Sequence, residues 1–310
     1  MGVTVARRTL LGGLGGLTAL TVLGGLGACG GVETPAGEVT IPPVRPGTPE
    51  PTPLTYGTDP AQYGVLHLPP GDARGLPVVV VVHGGYWRAA YGLELGTPLA
   101  VDLANRGIAV WNVEYRRVGA GGGWPATFTD VAAAVDLLPT AVARAAGGRL
   151  DLDRVVFLGH SAGGHLVGWA ASRERLGPGT PGADPQVRPI GTVSQAGVLD
   201  LVAGAGANLG GGAVTDLLGG PPDAVADRYA LASPAALVPA PAPVVCVHGD
   251  ADTVVPPDQS QRYVAAATAA GGDARLRVLP GVDHFAVIDP ERPAWSTVRA
   301  DVEALLEGPA

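Results

Sequence analysis

Cysteine is nearly missing from this sequence: only Cys29 and Cys246 occur in 310 residues. Two cysteines build neither a disulfide framework nor a cysteine-rich metal site. Charge is also thin, at 15% of residues, and aromatics make up 5%. The apolar fraction is nevertheless 46%, so the chain lacks the low-hydrophobicity, high-charge profile of a disordered protein. Twenty Lys+Arg against 28 Asp+Glu give a net charge of −8. No basic cluster stands out, which argues against a nucleic-acid binder. No H-E-x-x-H or other close ligand spacing occurs, and the glycine-rich strings have no nucleotide-binding context, so neither a catalytic metal nor a nucleotide cofactor is expected. Gly and Pro are abundant, 48 and 30, but no Gly-X-Y period or internal repeat organises them.

The two ends of the chain differ. Arg7 and Arg8 precede an uncharged stretch from Leu10 to Ala28, a positive n-region before an apolar h-region. The string ARRTLL resembles a twin-arginine export signal, and Leu26-Gly27-Ala28-Cys29 resembles a bacterial lipoprotein cleavage box. Residues 1–28 are therefore expected to be an export signal and Cys29 the lipidated first residue of the mature chain. An uncleaved membrane anchor or a plain secretory signal is the alternative. Losing that signal removes two positive charges, leaving 18 − 28 = −10 on the side chains. Residues 29–54 are rich in proline and lack apolar periodicity, as in an extended tether.

From residue 55 the pattern changes. The β-branched run Pro77–Val82 reads as a strand buried on both faces. Further strands are expected at 65–68, 108–113, 154–158, 190–194, 244–247 and 275–279. Helices are expected at 93–106, 126–146, 162–173, 259–270 and 295–306. The alternation predicts an α/β domain over 55–310, with a mostly parallel sheet covered on both faces. Residues 201–243 read as an irregular, glycine-rich insertion forming a short lid or pocket wall.

The chemistry lies in the turns. Gly159-His160-Ser161-Ala162-Gly163 joins a strand to a helix, the context in which G-x-S-x-G lifts a serine hydroxyl above a sheet edge. The Ala162 N–H would face an oxygen acquiring charge. His83-Gly84-Gly85-Tyr86-Trp87 follows the PVVVVV strand, and its glycines could supply the other donors. An acid and then a base should follow Ser161. Asp252, in His248-Gly249-Asp250-Ala251-Asp252, is preferred as the acid, with Asp250 as a competitor or turn cap. His284, in a loop after the last strand, is the expected base; Asp283 is disfavoured as its partner because adjacent side chains diverge. His83 and His165 read as structural, His67 as a surface residue on the first strand, and Cys246 as a small buried hydrophobe. Pocket candidates are Tyr86, Trp87 and His160, with Asp200, Leu217 and Leu218 from the insertion.

These residues resemble the α/β-hydrolase superfamily, nearest its carboxylesterase, feruloyl-esterase and kynurenine-formamidase-like branch. The resemblance rests on YGTDPAQYGVLHLP (56–69), HGGYWR (83–88), NVEYRRVG (112–119), GGWPATFTD (122–130), GHSAGGHL (159–166), HGDADTVVP (248–256) and GVDHF (281–285). It implies an α/β-hydrolase fold, with Ser161 as nucleophile, Asp252 as acid, His284 as base, and Gly84, Gly85 and Ala162 as oxyanion donors. No cofactor is implied. The expected substrate is a small carboxylic ester, with a formamide or amide, a peptide, or a non-enzymatic binding role as alternatives. Two departures stand out. Tyr86 replaces the third glycine of the HGGGW found in many relatives, and Tyr115-Arg116-Arg117-Val118-Gly119 replaces the Y-R-L-A-P-E of the hormone-sensitive-lipase branch. The export signal points to a membrane lipoprotein outside the cytoplasm, or else to secretion, with membrane contact only through the lipid.

Overall fold

A computed structural model describes residues 40–308. The N-terminal signal and the lipidation candidate Cys29 lie outside that range. Eight strands form one sheet: β1 Thr52–Thr55, β2 Tyr63–His67, β3 Leu76–Val82, β4 Ala109–Val113, β5 Leu150–His160, β6 Gly191–Gln195, β7 Val244–Gly249 and β8 Ala274–Leu279. Their spatial order is β1-β2-β4-β3-β5-β6-β7-β8. The pairs β1–β2 and β2–β4 are antiparallel, and every other pair is parallel. Nine α-helices accompany the sheet in the described residues: α1 Thr97–Ala104, α2 Ala126–Asp136, α3 Ala143–Ala145, α4 Ala162–Ala171, α5 Leu201–Gly206, α6 Ala213–Leu218, α7 Ala226–Ala232, α8 Asp258–Ala269 and α9 Pro293–Glu307. This is the α/β-hydrolase architecture that the motifs implied.

The valine run of β3 explains the layering. Successive strand side chains point to opposite faces. Val78, Val80 and Val82 enter one core with α2 and α4, while Val79 and Val81 enter another with α1 and α9. Along α9, Trp295, Val298, Val302 and Leu305 recur at helical spacing and are all buried. A third cluster packs Tyr263 and Ala267 of α8 onto Val244 and Cys246 of β7. Cys246 is thus the buried hydrophobe expected of it, and burial pushes its thiol up to about 12.

Several expectations need correction. The tether ends early, because β1 occupies Thr52–Thr55 and Arg45 already bonds to Asn105. The helix expected over 126–146 is interrupted by a π turn at Leu138–Val142. Pro139 has no N–H to donate, and its ring crowds the preceding turn. The helix expected over 93–106 begins as a 3-10 turn at Leu93–Gly96, and α1 then starts with Pro98 in its first turn. His67 lies on the second strand and is buried rather than on the surface. The insertion is not irregular: it carries α5, α6 and α7, with Asp200 capping α5 by accepting the Ala203 N–H at 3.0 Å.

Trp169 joins α4 to this insertion. Its indole N–H donates to the Leu231 carbonyl at 3.0 Å, and its ring lies 5.0 Å from Phe128 edge-on. Trp169→Ala should cost about 3–5 kcal/mol, the range for emptying a large buried aromatic site. Urea unfolding checks this, and a loss below about 1 kcal/mol would contradict the packing described.

Candidate active site

Parallel strands direct their C-terminal ends to one edge of the sheet, where ligands bind in open α/β folds. Four loops from that edge build the site. The first leaves β5 at the nucleophile turn. Ser161 has φ 56° and ψ −117°, left-handed values that are unusual for a non-glycine residue. Its own N–H donates to the Gln195 carbonyl at 2.8 Å, and its carbonyl accepts the His165 N–H at 3.0 Å as the first bond of α4. A Cβ on Gly163 would stand 2.0 Å from the Val82 carbonyl oxygen, and one on Gly159 would stand 2.3 Å from the Gly163 carbonyl oxygen. The two glycines are therefore steric necessities of the turn.

The second loop continues β3. A Cβ on Gly84 would be 3.1 Å from Ser161 Cβ, so this backbone runs directly beside the serine. The N–H groups of Gly84, Gly85, Tyr86 and Ala162 donate to no acceptor among the described residues. His83 anchors the loop, as its structural reading anticipated. Its Nε2 lies 3.0 Å from Glu114 Oε1 and its ring stacks on Tyr115 at 4.4 Å. Glu114 also accepts the N–H groups of Leu93 and Tyr115. Burial would raise this carboxyl, but the bond and charge of His83 and the other donors hold it below the usual carboxylate range.

The third element is the pair of loops after β7 and β8. His284 Nδ1 lies 2.6 Å from Asp252 Oδ2, and Asp252 Oδ1 accepts the N–H groups of Val254 and Val255 at 2.9 and 2.8 Å. With Nδ1 turned to the carboxylate, the opposite nitrogen of His284 makes no hydrogen bond among the described residues, including none to Ser161 Oγ. Asp250 instead accepts the Gly281 N–H, and Asp283 accepts those of Phe285 and Ala286, so both competitors are occupied as turn caps. Ser161 and His284 are joined indirectly: the neighbouring His160 donates through Nε2 to the His284 carbonyl at 2.9 Å. The two rings lie 4.5 Å apart.

The pocket candidates divide. Tyr86 stands at the site, its hydroxyl donating to the Val254 carbonyl at 2.8 Å. Trp87 is wholly buried and donates to His165 Nδ1 at 3.1 Å, so it is core rather than pocket. Leu217 and Leu218 are likewise core, and Asp200 is a helix cap. His160 is a buried support for the backbone of His284. Two contributors were missed. His248, quoted only as part of a motif, is a second histidine on Asp252: its Nε2 lies 3.2 Å from Oδ2 and 2.9 Å from the Val255 carbonyl, while its Nδ1 lies 2.8 Å from Ser260 Oγ. Arg88 reaches across to the Gly210 carbonyl of the insertion at 2.6 Å. The adjacency of HGDAD to the acid could have pointed to His248; Arg88 gave no comparable signal.

Burial would raise Asp252, but the bonds from His248 and His284, the His284 charge and the Val255 N–H outweigh it and hold the carboxyl well below its usual range. No cluster of metal-ligating side chains occurs among the described residues.

The BD-FAE family model matches residues 65–266, well over half of the 310 residues. An isoprenylcysteine alpha-carbonyl methylesterase of Arabidopsis thaliana is 27% identical over 244 residues, covering 74% of this chain and 55% of the plant protein. The chain thus spans about half the length of the curated relatives it matches. Among solved structures, a truncated carbohydrate esterase from gut microbiota aligns with TM-score 0.71 at 21% identity, over 86% of this chain and 99% of that one. Esterase B from Lactobacillus rhamnosis aligns with TM-score 0.70 at 22% identity, over 86% and 88% of the two chains. These two likenesses establish a shared fold.

Three buried histidines make the stability pH-dependent. Burial lowers His67 to about 4, His165 to about 4, and His160, with help from the His284 charge, to about 3. Below about pH 6.5 the unfolded chain therefore takes up protons that the folded chain refuses. Stability should fall as pH drops from about 6.5 to 4, by about 1.4 kcal/mol per pH unit for each ring. Asp252, with its depressed folded value, adds a loss that begins below about pH 4. Urea unfolding between pH 7 and 4.5 checks the histidine window. His67→Gln should lessen the slope by one ring's share, and an unchanged slope would contradict the assignment.

Proposed function

The chain belongs to the BD-FAE family, and we propose that it is a serine hydrolase that cleaves carboxylic esters of small to medium acyl chain through an acyl-enzyme. The observation that carries this reading is the meeting of four loops at one sheet edge. The strained Ser161 turn, free N–H groups beside it, and an Asp252–His284 pair at 2.6 Å share a single site. Relatives of this chain are named as esterases, which favours esters over the formamide, peptide and non-enzymatic alternatives.

In the proposed reaction Ser161 Oγ attacks the ester carbonyl carbon while His284 Nε2 takes its proton. Charge developing on the carbonyl oxygen is met by the N–H groups of Gly85 and Ala162, with that of Tyr86 beside them, and by the positive end of α4. Gly84, whose N–H is likewise unpaired, is kept among the proposed donors, and its lack of a side chain lets the loop pass against the serine. Asp252 holds the imidazole by Nδ1 and balances its charge, and His284 then protonates the departing alkoxide. Water enters, His284 takes its proton, and the acid is released as Ser161 recovers its hydrogen. His248 and His160 hold the acid and the base in place from behind.

The domain is proposed to work outside the cytoplasm, tethered by a lipid on Cys29. That reading rests on the arginine pair, the apolar run and the Leu26–Cys29 string. Membrane contact would be through the lipid alone.

Hydrolysis of p-nitrophenyl butyrate by the purified protein is expected to fall roughly 10⁴-fold or more in Ser161→Ala, as removal of a triad nucleophile requires. Turnover retained in that variant would remove Ser161 from the role.

A further inference from the structure

Tyr86 sits where many relatives have a glycine, and its backbone angle is one that suits glycine. Its φ is 51°, in the left-handed region that a bulky side chain seldom adopts. Strain of this kind persists only where surrounding contacts hold it, and it gathers at functional sites. The contacts here run in three directions. The Tyr86 backbone belongs to the loop that passes beside Ser161. Its hydroxyl donates at 2.8 Å to the carbonyl of Val254, whose own N–H is bound to Asp252. The face of its ring lies against the insertion, since a Cβ on Gly210 would fall 2.7 Å from the ring.

The insertion is fixed there. Arg88, two residues along from Tyr86, donates to the Gly210 carbonyl at 2.6 Å and lies 3.7 Å from Asp216. Gly210 has φ 58°, so the turn uses a conformation suited to glycine and offers no side chain of its own at this point. The phenol therefore stands as a fixed partition between the loop that follows β3 and the acid loop, and Ser161, beside the same loop, is only 2% exposed. A tyrosine held at both ends cannot swing aside as a free one would.

We infer that Tyr86 is a specificity-determining side chain, which limits the substrate to esters bearing a short chain on the side of the cleft between the oxyanion loop and the acid loop. This rests on the ester-hydrolase reading above. A chain of several methylenes on that side would have to occupy the volume of the ring. A short one ends before reaching it.

The test uses the full-length protein and two matched ester series. One varies the acyl group (p-nitrophenyl acetate, butyrate and octanoate), and the other varies the alcohol (methyl, butyl and octyl butyrate). The variants are Tyr86→Gly, which suits the backbone angle and removes the partition, and Tyr86→Phe, which keeps the ring but releases it from Val254. In Tyr86→Gly the ratio of kcat/KM for the longest member to that for the shortest should rise at least ~10-fold in one series and change by less than about threefold in the other. The series that responds identifies which substrate group meets Tyr86. Tyr86→Phe should move the same ratio in the same direction by a smaller factor, and it decides the matter if the glycine variant does not fold. Ratios unchanged in both variants, with the wild type turning over the short esters, would overturn the inference alone. No turnover of any ester by the wild type would overturn the hydrolase reading beneath it.

Discussion

The constraint on which the site depends is the approach of the α4 N-terminus to the end of β3. No Cβ could exist on Gly163, because it would stand 2.0 Å from the Val82 carbonyl oxygen. That contact forces the chain to leave β5, turn through a left-handed serine and start a helix within a few residues. It also decides what lies beside the serine, since the residues following Val82 are those of the oxyanion loop. The nucleophile and the N–H groups expected to serve it are thus brought together by backbone packing, before any side-chain hydrogen bond is counted. Close-packed backbone of this kind costs nothing to reorganise during reaction, which is what electrostatic stabilisation of a developing oxyanion requires.

The polar half of the site is organised on the same principle. Asp252 is buried, and a buried carboxylate is tolerable only when its oxygens are occupied. Two backbone N–H groups and two histidines occupy them. His284 is gripped at its ring by Asp252 and at its backbone by His160. Glu114 plays the corresponding part for the oxyanion loop through His83. Each loop of the site is therefore fastened to a neighbour by a buried polar contact, while the hydrophobic clusters fix the sheet and helices beneath.

What could be read from the sequence follows from the range of the interactions concerned. The β-branched run before His83 and the G-x-S-x-G turn are local patterns with local causes; of the expected serine, acid and base, the structure joins Asp252 to His284 at 2.6 Å. Asp252 was separable from Asp250 and Asp283 because turn geometry decides which carboxylate is free to reach over the edge. Trp87, Leu217 and Leu218 were misplaced because their neighbours come from distant segments: Trp87 meets His165, and both leucines belong to the core shared with α2 and α4. His67 was misread because its pairing with Val110 of β4, a distant segment, sets it inside the sheet. The break after α2 was visible in principle at Pro139. The role of His248 needed the distance to Asp252, which no spacing rule supplies.

Covalent trapping tests most directly whether this sheet edge is a serine nucleophile site. The full-length protein would be treated with a fluorophosphonate, digested and mapped by mass spectrometry. The account predicts one phosphonyl adduct, carried on Ser161 and abolished in Ser161→Ala. An unmodified Ser161 under conditions where the protein hydrolyses esters, or an adduct on another residue, would contradict it.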